Sequence, residues 1–189
     1  MKKSSTVFLS EAAMLIAVGT VLSLFKIDMP MGGGLTICSM LPLVIISHRY
    51  GWKKGVMCAF VYSMLQLVLG LDNVQYATNM IMAIEIIMLD YIIAYTVIGL
   101  SSVFNSFVEN KRKSLILGIC FTFFLRFLCH FITGVIIWDA LWPNEFGLTS
   151  VVYSFGYNGW FMGAEAIITS VAALALSTHL EKYIWVKNE

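Results

Sequence analysis

Apolar residues run along this chain in long blocks, separated by short polar or glycine-rich stretches. The blocks are about 7–26, 36–48, 53–71, 79–104, 114–139 and 151–181. A helix needs roughly 20 apolar residues to cross about 30 Å of hydrocarbon. Barrel strands would alternate apolar and polar positions, and these blocks do not. The pattern predicts an all-α integral membrane protein with six transmembrane helices. The second block is short and holds Pro42, which predicts a tilted or partly re-entrant segment.

Composition supports that reading. Hydrophobic residues make up 59% of the 189 positions and charged residues 12%, against about 25% charged in an ordinary soluble domain. Glu11 interrupts the first block and no small-residue cleavage site follows it, so a retained helix is expected rather than a signal peptide. With six spans, both termini lie on one side. Lys2, Lys3, Arg49, Lys53, Lys54, Lys111, Arg112, Lys113, Lys182 and Lys187 all fall on that side, and only Lys26 falls on the other. The positive-inside rule makes that side cytoplasmic. Asp28, Asp72, Asp139 and Glu145 are then external. A net charge of +1 excludes a nucleic-acid footprint. Cys38, Cys58, Cys120 and Cys129 lack metal-ligand spacing and read as small apolar residues.

Ionisable groups inside a bilayer cost a few kcal/mol or more each and usually face a cavity or a partner. Those deep in the blocks are Glu85, Asp90, Arg126, His130 and Glu165. At 1.5 Å per helical residue, Asp90, His130 and Asn158 lie roughly 10–16 Å below the outer ends of the fourth, fifth and sixth spans. Trp138 and Tyr153 sit above them. His130, Gly134 and Trp138 follow at four-residue spacing, hence on one side of a helix. An acid, an imidazole, an amide and two aromatic rings at one level suit a flat, polar, cationic molecule. Blander roles stand beside this: a core histidine for His130, an interfacial anchor for Trp138, a helix-to-helix bond for Asn158. Arg126 and Glu165 come out at similar depths on antiparallel neighbours and are expected to pair below the pocket.

The first span carries Ala13 and Ala17 at small-xxx-small spacing, followed by Gly19. Such a stripe allows close approach of another helix, internal or from a separate subunit. The chain holds no phosphate-binding GxxxxGK[ST] loop, no HExxH or GxSxG motif and no zinc pattern. No catalytic residue, cofactor or metal is expected. A pocket without an engine suggests a substrate-capture subunit whose energy comes from a partner.

The stretches "HFITGVIIW" and "VVYSFGYNGWFMGAEAIIT", with "MLDY" at 88–91 and "SMLPLVIISHRYGWKKG" at 39–55, resemble the thiamine-specific S component of energy-coupling factor (ECF) transporters, the ThiT family. The resemblance covers nearly the whole chain, as a single substrate-binding domain over 1–189. It implies six membrane helices, thiamine bound near the outer face of the cell membrane, and partnership with a transmembrane T subunit and two cytoplasmic ATPases. Carried over by motif, the ligand residues are Asp90, Tyr91, His130, Trp138, Tyr153 and Asn158. Since a pocket without an ATP site needs a partner, the small-residue stripe at Ala13 and Ala17 is the expected docking face. The family more often has glutamate where this chain has Asp90, and a tryptophan in the first loop where this chain has none. A thiamine precursor or another vitamin is the alternative ligand. An intramembrane enzyme using Asp90 and His130 as an acid–base pair is a further alternative.

Overall fold

The structure, a computed structural model, describes residues 5–28 and 34–185. Helix α1 is Ser5–Leu24, and a two-stranded antiparallel hairpin follows, β1 (Lys26–Asp28) paired with β2 (Gly34–Thr36). Next come α2 (Leu41–Tyr50) and α3 (Trp52–Leu69). Three long helical rods complete the chain: α4 (Met80–Ser106), α5 (Lys111–Leu141) and α6 (Ser150–His179). Short helices Leu71–Val74 and Glu181–Ile184 close the ends of α3 and α6.

Among the described residues, α1, α4, α5 and α6 are long and apolar enough to cross a membrane. Helix α2 is not. Its ten residues reach only about 15 Å. It begins five residues later than the apolar block does, because Thr36 belongs to the hairpin and residues 37–40 turn the chain into the helix. The chain is mostly helical, with one short hairpin as its departure from an all-α fold, and Pro42 lies in the first turn of the short α2. A proline in the first turn costs no hydrogen bond, since that N–H has no partner in any helix. Gly51 then turns the chain sharply into α3 with φ +86°, a conformation that a side chain would strain.

Caps start the long rods where the apolar blocks begin. Side-chain oxygens of Asn79, Asn110 and Thr149 accept the N–H groups of Met82, Lys113 and Val152, answering donors that a helix start leaves open. Large apolar side chains such as Phe155, Trp160, Ile167 and Val171 are exposed along α6, as suits a surface bathed in lipid. Helix α2 is the opposite: Leu43, Val44 and Ile46 are fully buried, and it serves as the packing centre of one end of the molecule. At the same end, Glu11 of α1 binds Arg49 and Tyr50, and Arg49 lies 3.6 Å over the ring of Tyr183. Small residues bring α3 and α4 together. A Cβ on Gly55 would lie 2.5 Å from the Gly99 carbonyl oxygen, and Ser47 reaches Gly99 O at 2.6 Å beside them.

Two rods change their winding. Helix α4 widens to π geometry over Ile86–Ile93, and α5 does so over Gly134–Trp138. Such turns recur at functional sites, since each re-aims the side chains that follow. Asp90 and Trp138 lie in these two segments.

Candidate functional site

A cavity of about 550 Å³ opens between α4, α5, α6 and the β2 end of the hairpin. Asp90, Tyr91, His130, Trp138, Tyr153 and Asn158, the six residues expected from the sequence, all line it. From Trp138 to Arg126 along α5 is twelve residues, so the cavity extends about 18 Å into the bundle.

Asp90 is at its centre. The side chain is buried, and its carboxylate accepts three hydrogen bonds from α5. Thr133 Oγ1 donates at 2.5 Å and His130 Nδ1 at 3.0 Å to one oxygen; Trp138 Nε1 donates at 2.9 Å to the other. These bonds offset the several kcal/mol that a bare carboxylate costs in a low dielectric. The same bonds fix the planes of the imidazole and the indole. His130 is therefore no isolated core histidine, and Trp138 is more than a belt anchor. Sequence reasoning missed Thr133, since a threonine in an apolar helix carries no signal until its partner is known.

The upper walls are aromatic. Trp138 stacks on Trp142 at 5.7 Å with planes 19° apart, and Tyr76 meets Trp142 edge-on. On α6, Tyr153, Tyr157 and Phe161, which also line the cavity, stack at successive four-residue steps, their planes 10° apart. Flat walls of this kind accept a flat ring between them, and their π faces attract a cation. Tyr153 was expected; Trp142, Tyr157 and Phe161 were not. The i, i+4 rhythm of Tyr153, Tyr157 and Phe161 is visible in the sequence and is the signal that could have found them.

Tyr91 and Asn158 do something different from direct display of a polar group. The Tyr91 hydroxyl donates to Gly70 O at 2.9 Å and accepts from Asn73 Nδ2 at 2.7 Å, which ties the π segment of α4 to the end of α3. Asn158 Nδ2 donates to His130 O at 3.2 Å and to Ser154 O at 3.1 Å. Its amide nitrogen joins α6 to α5, the helix-to-helix role weighed above, while the residue still lines the cavity.

Arg126 and Glu165 form the expected ion pair, both almost wholly buried. The pair is not simply below the pocket, because Arg126 also lines it. Glu165 accepts in addition from Thr36 N at 3.0 Å and Thr36 Oγ1 at 2.6 Å, which fastens β2 to α6. Glu85 is half-buried and does not line the cavity. Residues 29–33 of the glycine-rich loop lie outside the described residues, as do Lys2, Lys3 and Lys187. No cluster of metal-binding side chains occurs among the described residues. Ala13 and Ala17 are far from the cavity: they are exposed on α1 and line a separate, almost wholly apolar groove against α3.

A family model described as Thiamine transporter protein matches residues 9–184. The chain belongs to the thiamine transporter family. It is a multi-pass cell-membrane protein of that family, and its relatives agree. Thiamine transporter ThiT of Bacillus subtilis is 29% identical over 180 residues, covering 89% of this chain and 88% of that one. ThiT of Lacticaseibacillus paracasei is 29% identical over 148 residues, covering 74% and 71%. Among solved structures, ThiT from Listeria monocytogenes superposes with a TM-score of 0.75 at 21% identity, over 95% of this chain and 97% of that one. The S component of a bacterial ECF transporter does so with 0.64 at 20%, over 96% and 99%. At these identities the two structures establish the shared fold.

Proposed function

We propose that this chain, as one domain over 1–189, is the thiamine-binding S component of an ECF transporter. The observation that carries the reading is the cavity. A buried carboxylate and two stacked aromatic groups, one on α5 and one on α6, line the same cavity in a chain of the thiamine transporter family. Thiamine joins a cationic thiazolium ring to an aminopyrimidine ring, so it needs both features. The aromatic faces hold the cation, a contact worth roughly 2 kcal/mol when water is excluded. Asp90 adds negative potential beside them. Tyr91 and Asn158 keep α3, α4, α5 and α6 in register around the ligand, while His130, Trp138 and Tyr153 present their rings.

In this reading the chain has six membrane-embedded helices with both termini cytoplasmic: α2 is a short one, sheltered from lipid by the others and reaching only part of the way across, and the chain before it covers the rest of that pass. The basic residues at Arg49–Lys54 and Lys111–Lys113 support that orientation. The cavity then opens outward. The role is transport and not catalysis. Energy comes from a T subunit and two ATPases, which α1 meets through its exposed Ala13 and Ala17.

The test is calorimetric titration of the purified protein in detergent with thiamine, preceded by mass spectrometry of co-purified small molecules. Tight one-to-one thiamine binding is expected. A precursor pyrimidine found in its place, with thiamine not bound, refutes the assignment.

A further inference from the structure

Beside its tyrosines, the described wall of the cavity holds four ionisable side chains: Asp90, Arg126, His130 and Asp139. Their charges do not cancel. The Arg126 guanidinium is answered by Glu165, which is not itself part of the wall. His130 gives its Nδ1–H to Asp90, and its buried Nε2 has no hydrogen-bond partner among the described residues. An imidazolium would leave a charged N–H unanswered there, so the ring is neutral. Asp90 therefore keeps its full negative charge, held by neutral donors. Asp139, the residue after Trp138, adds a second. Its Oδ1 accepts from Asn144 N at 3.3 Å and from Asn144 Nδ2 at 3.0 Å, and no cation pairs with it among the described residues. Lys26, the basic residue of the outer side, is exposed on β1 and outside the wall, and residues 29–33 bring no charge. The wall thus carries one carboxylate more than a monocation neutralises.

We infer that Asp139 is a specificity residue that excludes phosphorylated forms of the ligand. The inference rests on the thiamine reading and deepens it. A phosphate ester on the hydroxyethyl arm carries a charge of about −1.5 to −2 at neutral pH. Two methylenes tie it to the thiazolium ring, so it follows that ring to the aromatic walls and Asp90. Asp139 is at the same level, since it adjoins Trp138 and neighbouring Cα atoms are about 3.8 Å apart. With Asp90 alone, the thiazolium would neutralise the site, and a phosphate beside that pair would meet little net field. The second carboxylate leaves the occupied site with one negative charge in excess, and a phosphate meets it as repulsion. The same charge attracts the unphosphorylated cation. Asp139 therefore acts on the two ligands with opposite sign.

Asp139→Asn tests this, because the amide keeps an oxygen to accept from Asn144 and loses only the charge. Thiamine and thiamine monophosphate are titrated into wild type and variant in a non-ionic detergent at low salt. One carboxylate charge about 8 Å away is worth about threefold to tenfold in affinity per unit of ligand charge. Wild type should prefer thiamine by more than about tenfold. In Asp139→Asn, thiamine should bind about threefold to tenfold more weakly and the monophosphate no more weakly than before, so that the ratio falls about tenfold. Damage to the wall would weaken both ligands, and a purely structural role for Asp139 would leave the ratio in place. Asp139→Glu, which keeps the charge, should hold the wild-type ratio. If Asp139→Asn is not recovered folded, Asp139→Ser, whose hydroxyl can still accept from Asn144, is read in the same way. Equal binding of the two compounds by wild type overturns the inference. So does an undiminished ratio in the uncharged variant, or a ratio that falls as far in Asp139→Glu. Failure of wild type to bind thiamine at all overturns the thiamine reading instead, and this inference with it.

Discussion

Replacing Thr133 with valine separates what holds the site together from what touches the ligand. The Thr133 hydroxyl is fully buried and has one proton to give. Its nearest acceptor is Asp90 at 2.5 Å, with His130 O and Cys129 O at 3.2 and 3.4 Å. Valine has the same shape and offers no donor. Asp90 keeps His130 and Trp138 but loses its shortest bond. A hydrogen bond to a charged group contributes about 1.5–3 kcal/mol, and a buried carboxylate recovers none of that from water. For a chain of this size, each kcal/mol shifts the melting temperature by roughly 2–4 °C. A loss of about 2 kcal/mol therefore predicts a fall of about 4–8 °C. Thiamine affinity should change little, less than about threefold, because the bond is made both with and without ligand and cancels from the binding equilibrium. The assay is thermal unfolding of the purified protein in detergent, followed by tryptophan fluorescence, beside a calorimetric titration. Thr133→Ser, which restores the donor, should recover most of the stability. A melting temperature unchanged in Thr133→Val would refute the bond as a stabilising contact. A large loss of affinity at unchanged stability would make the hydroxyl a ligand contact and refute the reasoning.

The other predictions concern the wall, the partner face and the orientation. Trp138→Ala removes a stacking surface and the indole donor to Asp90; thiamine affinity should fall by about 1–3 kcal/mol, and an unchanged dissociation constant would take Trp138 out of the site. Ala17→Leu adds bulk to the exposed face of α1 without approaching the cavity, so binding by the isolated protein should persist while uptake in cells falls; intact uptake would move the docking face elsewhere. In a cysteine-free background, a cysteine at Glu145 should react with an impermeant maleimide in sealed cells and one at Lys113 should not. The reverse pattern would invert the topology.

The sequence by itself carried the membrane class, the long helices and the level at which Asp90, His130, Trp138, Tyr153 and Asn158 meet. These follow from one-dimensional rules: apolar run length, basic residues beside spans, and a fixed rise per helical residue. It could not distinguish display from support. Whether Asn158 faces a ligand or another helix depends on the rotation of α6 against α5, which no spacing within α6 records. Nor could it find Thr133, whose importance exists only through a carboxylate 43 residues away in the chain. The hairpin and the late start of α2 were hidden for a related reason. A short apolar run fits a strand, a turn or a helix equally well, and the pairing of Lys26–Asp28 with Gly34–Thr36 decides between them. Helix α2 is too short to be recognised by length, and its place at the packing centre comes from what surrounds it. Local chemistry determined which residues could not face lipid. Only the tertiary structure decided which atoms answer them, because hydrogen bonds between helices depend on relative rotation and tilt that are set by the packing of the whole bundle.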